Sequence, residues 1–165
     1  MKKLALIAFA VLLLGGIPDA KAQMGAAQRV EPITSICQKT TFSVQKAYNV
    51  INDYSLLVKH SGGAIAKAEK RKGSTYEELH LTLSSGAKIV LNIYPYPDVT
   101  ATTYSVISPA EYKGVGVCTT VKEDGEDSII ELSCSGNVSR AKQKEVGSFV
   151  TPLFKTILKG YKTLE

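Results

Sequence analysis

Apolar and polar positions recur along this chain with two periods, and the places where one gives way to the other divide it into elements. Near the C-terminus Val146, Phe149, Val150, Leu153, Ile157, Tyr161 and Leu164 recur at spacings of three and four, with Lys144, Ser148, Lys155, Lys159 and Lys162 on the opposite side. That period predicts one amphipathic helix over Arg140 to Leu164, some 25 residues and roughly 37 Å long. Pro152 predicts a break in it between Ser148 and Leu153, either as a bend convex toward water or as a fresh start capped by Thr151.

Before that helix the period is two. Leu79, Leu81 and Leu83 alternate with Tyr76, Glu78, His80 and Thr82 over Thr75 to Leu83. Ile89, Leu91 and Ile93 alternate with Lys88, Asn92 and Tyr94 over Ala87 to Tyr94, where Pro95 and Pro97 are expected to end the strand. Val99 to Ile107 is rich in Val and Thr and reads as a further strand. Lys113 to Lys122 and Ser128 to Ser135 read as a hairpin closed by a type II′ turn at Gly125-Glu126. That register pairs Val121 with Ile130, Thr119 with Leu132 and Val117 with Cys134, which gathers the apolar residues on one face.

Upstream, Ile33 to Phe42 is a β-prone stretch. Ser43 is a suitable N-cap for a helix carrying Val44, Ala47, Tyr48 and Ile51, and a second short helix is expected over Ser55 to Val58. His60-Ser61-Gly62-Gly63 ends it, and Ile65 to Lys72 follows as a polar strand with a basic end. The order is one strand, two short helices, six strands and one long helix.

The N-terminus adds a targeting segment. Lys2 and Lys3 precede the apolar run Leu4 to Leu14, and Ala20-Lys21-Ala22 fits a small-x-small cleavage site before Gln23. The expectation is a signal peptide over residues 1–22, a single domain over 23–165, and a periplasmic or secreted bacterial location. Cleavage removes three lysines and one aspartate, so the formal charge of +5 falls to about +3. That mild balance argues against nucleic acid as a partner and allows transient contact with an anionic membrane surface. Cys37, Cys118 and Cys134 in an oxidising compartment predict one disulfide and one free thiol. Cys118–Cys134 is favoured by the hairpin but opposed by its register, and Cys37–Cys134 is the competitor.

Three stretches carry a resemblance to a known family. They are Phe42-Ser43-Val44-Gln45-Lys46-Ala47-Tyr48-Asn49-Val50-Ile51-Asn52-Asp53-Tyr54, the hairpin from Gly114-Val115-Gly116-Val117-Cys118 to Ser135, and Leu158-Lys159-Gly160-Tyr161-Lys162. With the order of elements, they resemble the SRPBCC or START-like superfamily, which includes polyketide cyclases and lipid-transport proteins. The resemblance implies an α+β helix-grip fold: a seven-stranded antiparallel sheet wrapped around a long C-terminal helix, with two short helices after the first strand. It also implies an apolar cavity between sheet and helix.

On that arrangement the residues expected to touch a ligand are Leu79, Leu81, Leu91, Ile93, Val117, Thr119, Leu132, Phe149, Leu153, Ile157 and Tyr161. None carries a charge, so the set suits an apolar molecule better than acid–base chemistry. No metal-ligand cluster, nucleotide-binding loop or nucleophile motif is present, and no cofactor is expected. The reading is a monomeric, non-enzymatic binder or carrier of a hydrophobic small molecule: a lipid, isoprenoid, quinone or polyketide-like compound. A cyclase or dehydratase would need Tyr104, His80 or Tyr161 inside the cavity. An envelope interaction module would use the basic strand end at Lys70, Arg71 and Lys72.

Overall fold

The computed structural model describes residues 32 to 164, so the expected signal peptide lies outside the described residues. Seven antiparallel strands form one sheet: β1 (Pro32–Thr40), β2 (Ile65–Lys72), β3 (Glu77–Leu83), β4 (Lys88–Tyr96), β5 (Ala101–Ser108), β6 (Val115–Asp124) and β7 (Asp127–Gly136). Their spatial order is β1-β7-β6-β5-β4-β3-β2. β1 and β2 therefore sit at opposite edges although they are neighbours in the chain. Helices α1 (Val44–Ile51) and α2 (Tyr54–His60) span the distance between them. The long helix α3 covers Arg140–Lys162. This is the helix-grip architecture expected from the sequence.

Local chemistry explains the elements. The Ser43 hydroxyl accepts from the Lys46 amide and caps α1, while the Asp53 carboxylate accepts from the Ser55 and Leu56 amides and caps α2. That second cap starts α2 at Tyr54, a residue before the expected stretch. The hairpin has the expected register, with Val121 opposite Ile130, Thr119 opposite Leu132 and Val117 opposite Cys134. Gly125 at the tip has φ +68°, which a two-residue turn requires. Edge strand β2 is charged, and Lys67 and Arg71 pair with Glu69 while Lys70 pairs with Glu77, at 2.6–2.7 Å. Charges along an edge oppose pairing with another sheet.

Three expectations are corrected. Pro95 lies inside β4, opposite Thr102, instead of ending the strand. The β3 ladder stops at Glu77–Ile93, so beyond Ile93 β4 has one neighbour and tolerates proline. Pro152 lies inside an uninterrupted α3. Its ring costs only the hydrogen bond to the Ser148 carbonyl, and both residues are exposed, so water can take the freed oxygen. Thr151, the alternative cap, instead donates to the Thr34 hydroxyl at 3.0 Å.

The third correction is that all three cysteines are free. Cys118 is opposite Ser133 and Cys134 is opposite Val117, so adjacent-strand pairing points the two thiols to opposite faces. Cys37 is opposite Glu131, three residues along β7 from Cys134 and on the other face. Cys37 and Cys118 share the outer face, but β7 runs between them. Two strand spacings are about 9.5 Å, beyond the roughly 7 Å that a disulfide spans between α-carbons.

The long helix is seated at two places. In its first half Gly147 packs on β1, where an added β-carbon would lie 3.2 Å from Ile33 Cγ2. In its second half Gly160 packs on α2, where an added β-carbon would lie 2.5 Å from the His60 ring and Cβ. Glycine in a helix interior costs about 1 kcal/mol against alanine, so close approach is the gain at these positions.

Two outcomes follow from this packing. Thiol titration is expected to find three reactive cysteines per chain in denaturant and only Cys37 reacting readily in the native protein; a single thiol in denaturant would show a disulfide. Gly160→Ala is expected to lower stability by about 1–3 kcal/mol in urea unfolding despite alanine's helix propensity. Gly147→Ala meets only a methyl group that can shift and should cost less. An unchanged or raised midpoint for Gly160→Ala would show that α3 does not bear on α2.

Candidate functional site: an apolar cavity between sheet and helix

Because α3 is held against β1 and α2, it stands away from the middle of the sheet. The space left is a cavity of about 440 Å³. Strands β3 and β4 supply Leu79, Leu81, Leu83, Ile89 and Leu91; β5 and β6 supply Tyr104, Val106, Val115, Val117 and Thr119; β7 supplies Leu132 and Cys134. Phe149, Val150, Leu153, Phe154, Ile157 and Tyr161 form the helical wall, and Ile51, Tyr54 and Leu57 close one end.

Every residue nominated from periodicity reaches this wall except Ile93. Ile93 is buried opposite Tyr104 in the packed core and does not line the space. Val121 and Ile130 have the same inward phase but lie in the solid part of the core, in one cluster with Phe42 and Ala47. Phe149 reaches the wall and is also 41% exposed. The most buried arc of α3 runs instead through Val146, Phe154, Ile157, Leu158 and Tyr161. Phe154 and Leu158 continue the spacing of Val146 and Val150, so the period alone could have found them.

The mouth is marked by exposed wall residues: Ala87 and Lys88 beside the β3–β4 turn, and Glu145 and Phe149 on α3. Lys88 and Glu145 are the charged residues of the wall among the described residues, and both are at this rim. Tyr112, in a short 3-10 turn after β5, donates to Glu145 Oε1 at 2.6 Å. Lys142 Nζ lies 3.4 Å from the same carboxylate and 4.4 Å from the Tyr112 ring centre. The Tyr112 hydrogen bond holds the Glu145 carboxyl below the usual carboxylate range. Tyr112 thus sits at the mouth, whereas Tyr104 lies at the closed end.

Among the described residues the closed end is lined by polar but uncharged side chains, with Asp53 near Tyr161 and Lys70 and Glu77 near Tyr54. Asn52, at the α1–α2 junction, accepts at Oδ1 from Thr102 Oγ1 at 2.9 Å and from the Tyr104 hydroxyl at 3.4 Å. Its amide nitrogen donates to the Tyr48 carbonyl at 2.8 Å. Tyr54 and Tyr104 share a hydrogen bond between their hydroxyls. Burial pushes the Tyr104 and Tyr161 phenols well above their ordinary value of 10.0, so both stay neutral. Burial likewise pushes the Cys134 thiol up to about 11. His80 is elsewhere: it lies on the opposite sheet face, bonded to Glu78 at 2.8 Å, and does not enter the cavity.

Sequence reasoning missed Tyr54 and Leu57. They lie on a seven-residue helix too short to show a clear period, and only the chain reversal at Asn52-Asp53 brings them over the sheet.

No protein-family model and no curated protein sequence matches the chain. Solved structures do. The protein XoxI from Bacillus cereus aligns with a TM-score of 0.66 at 18% identity, over 79% of this chain and 93% of that one. A START superfamily protein from Mycobacterium smegmatis aligns at 0.62 and 9% identity, over 79% and 94%. The di-domain ARO/CYC StfQ from the steffimycin biosynthetic pathway aligns at 0.63 and 10% identity, over 79% of this chain and 49% of that one. At these identities the likeness is one of fold, and the fold is START-like.

The buried phenols set a pH dependence. Up to about pH 10 both folded and unfolded chains keep the phenolic protons. Above it the unfolded chain releases protons that folded Tyr104 and Tyr161 retain, so stability falls as pH rises, by at most about 1.4 kcal/mol per pH unit for each phenol. Urea midpoints measured from pH 9 to 11.5 should show that fall, and Tyr104→Phe and Tyr161→Phe should each make it shallower. An unaltered slope in both variants would place the phenols in water.

Proposed function

We propose that this protein binds and carries a hydrophobic small molecule in the cavity between its sheet and α3. The observation that carries the reading is a space of about 440 Å³ with aliphatic and aromatic walls and its charges confined to the mouth. That volume lies within the range of small-molecule sites. If it stayed dry and empty, the lost contacts would amount to about 10 kcal/mol at the cost measured for engineered core cavities. That is comparable to the whole stability of an ordinary domain. An occupant that restores those contacts is therefore strongly favoured over water at apolar walls.

The chemical class is that of a lipid, isoprenoid, quinone or polyketide-like compound. The carrier acts as a monomer, in the periplasm or outside the cell after cleavage near Ala22, with transient contact with a membrane surface where ligand is exchanged. The likeness in fold to the START superfamily protein from Mycobacterium smegmatis is consistent with a cavity protein. A cyclase-type activity, prompted by the likeness to StfQ, is less favoured. Tyr104 and Tyr161 do reach the wall, but their phenols hold their protons, and no carboxylate or imidazole lines the closed end among the described residues.

Uptake of the fluorescent probe N-phenyl-1-naphthylamine, together with native mass spectrometry of gently purified protein, tests the proposal. The expected result is saturable uptake, displaced by extracted lipids and weakened at least about tenfold by Val117→Phe, which fills the cavity. Protein that is repeatedly recovered empty and takes up no probe would overturn it.

A further inference from the structure

The closed end of the cavity has hydrogen-bonding capacity that the fold does not use. Tyr161 is 2% exposed and lines the cavity, yet its hydroxyl has no hydrogen-bond partner among the described residues. The hydroxyl is open to a water-sized molecule, since the sealed, unpaired side-chain atom among the described residues is His60 Nε2, so a guest in the cavity can bond it. Its ring is fixed by an edge contact with His60, 5.9 Å between ring centres at 78°, and by the tight passage of Gly160 against the same His60. Tyr161 is near enough to Tyr104 to act on its phenol electrostatically. Tyr104 in turn is tied to Asn52 and Tyr54, and both Tyr54 and Tyr104 line the wall.

Asn52 Oδ1 already accepts two hydrogen bonds, from Thr102 and Tyr104, so its acceptor capacity is filled. The Tyr104 proton is committed to Asn52, so in the Tyr54–Tyr104 pair Tyr54 donates to the Tyr104 oxygen and keeps its own lone pairs free. With Tyr161 it can meet one further oxygen.

From this we infer that the closed end is a seat for a single neutral oxygen, a hydroxyl or a ketone, at the end of an otherwise apolar ligand. The ligand enters oxygen first and leaves its apolar tail along Leu153 and Phe149 toward the mouth. An ionised carboxylate or phosphate is excluded, because no cation lines this end among the described residues and an anion brought out of water there would stay unpaired. The Lys70 ammonium near Tyr54 is already paired with Glu77 at 2.7 Å. A pure hydrocarbon would leave the Tyr161 hydroxyl unsatisfied. The inference rests on the carrier reading and narrows it from any hydrophobic molecule to alcohols and ketones with long apolar bodies.

Competition of n-decane, 1-decanol, 2-decanone and decanoate against the naphthylamine probe tests it. The alcohol or the ketone should bind about tenfold or more tighter than the alkane, and decanoate at neutral pH should compete poorly. Tyr161→Phe should reduce affinity for the favoured oxygenated compound about three- to tenfold, the equivalent of one hydrogen bond, and leave decane unchanged. Tyr54→Phe should act in the same sense, and its moderate burial makes it the safer variant for folding. Equal affinity for decane and the oxygenated compounds, tightest binding of decanoate, or equal losses for all four compounds in both variants would overturn the seat while leaving the carrier reading intact. Failure of the probe itself to enter wild-type protein would overturn both.

Discussion

The distance between α3 and the sheet is the constraint on which the cavity depends. A helix with this apolar arc would ordinarily sink onto the sheet until side chains interlock. Here it is stopped by bodies at its two halves. Backbone approach at Gly147 and the Thr151–Thr34 hydrogen bond seat one half on β1, at the sheet edge. Gly160 against His60, and Gly62 against Thr156, seat the other half on α2 and the turn that follows it. Because α2 itself bridges to the far edge strand β2, the helix is held above the sheet by β1 on one side and α2 on the other, and the middle strands face a gap.

The polarity of that gap is graded along its length. The mouth has Lys88 and a Tyr112–Glu145 hydrogen bond with Lys142 beside it, all half-exposed or exposed, where water screens charge and such contacts are individually weak. The middle is aliphatic. The closed end has phenols and an amide that are neutral and mostly bonded to one another. Such a gradient orients a molecule with one polar end without requiring any charge to be desolvated.

Much of the fold was legible in the sequence because two-residue alternation has only one register that keeps apolar side chains together. Val117, Thr119 and Val121 could meet Cys134, Leu132 and Ile130 in no other way without scattering the face. The hollow was not legible for the same reason: Ile130 and Leu132 have identical phase, yet one is packed solid and the other faces the cavity. What separates them is where α1 and α3 come to lie, which is a property of the tertiary arrangement and not of the strand. Phe149 and Phe154 show the converse problem on the helix. The apolar arc is wide enough to hold both, and only the seating on β1 and α2 decides that Phe154 turns inward while Phe149 is left at the rim. Tyr54 owed its place to the Asp53 cap, a local signal whose consequence is remote.

The continuity of α3 also decides where a ligand can pass. A break at Pro152 would have made the C-terminal half of the helix a hinged cover. Instead the residues on either side of Pro152 are tied down: Thr151 to Thr34 in β1, and Thr156 through its hydroxyl to the Pro152 carbonyl at 3.0 Å and by packing to Gly62. Lifting that half would expose Phe154, Ile157, Leu158 and Tyr161 together, at about 1.5–3 kcal/mol for each side chain. Opening the mouth needs far less. It requires a change of rotamer at Phe149, already 41% exposed, and separation of Tyr112 from Glu145, a solvent-exposed hydrogen bond that water can replace. The cheaper route runs past the rim, with the helix staying in place, and a molecule entering there meets the aliphatic walls first and the phenols last.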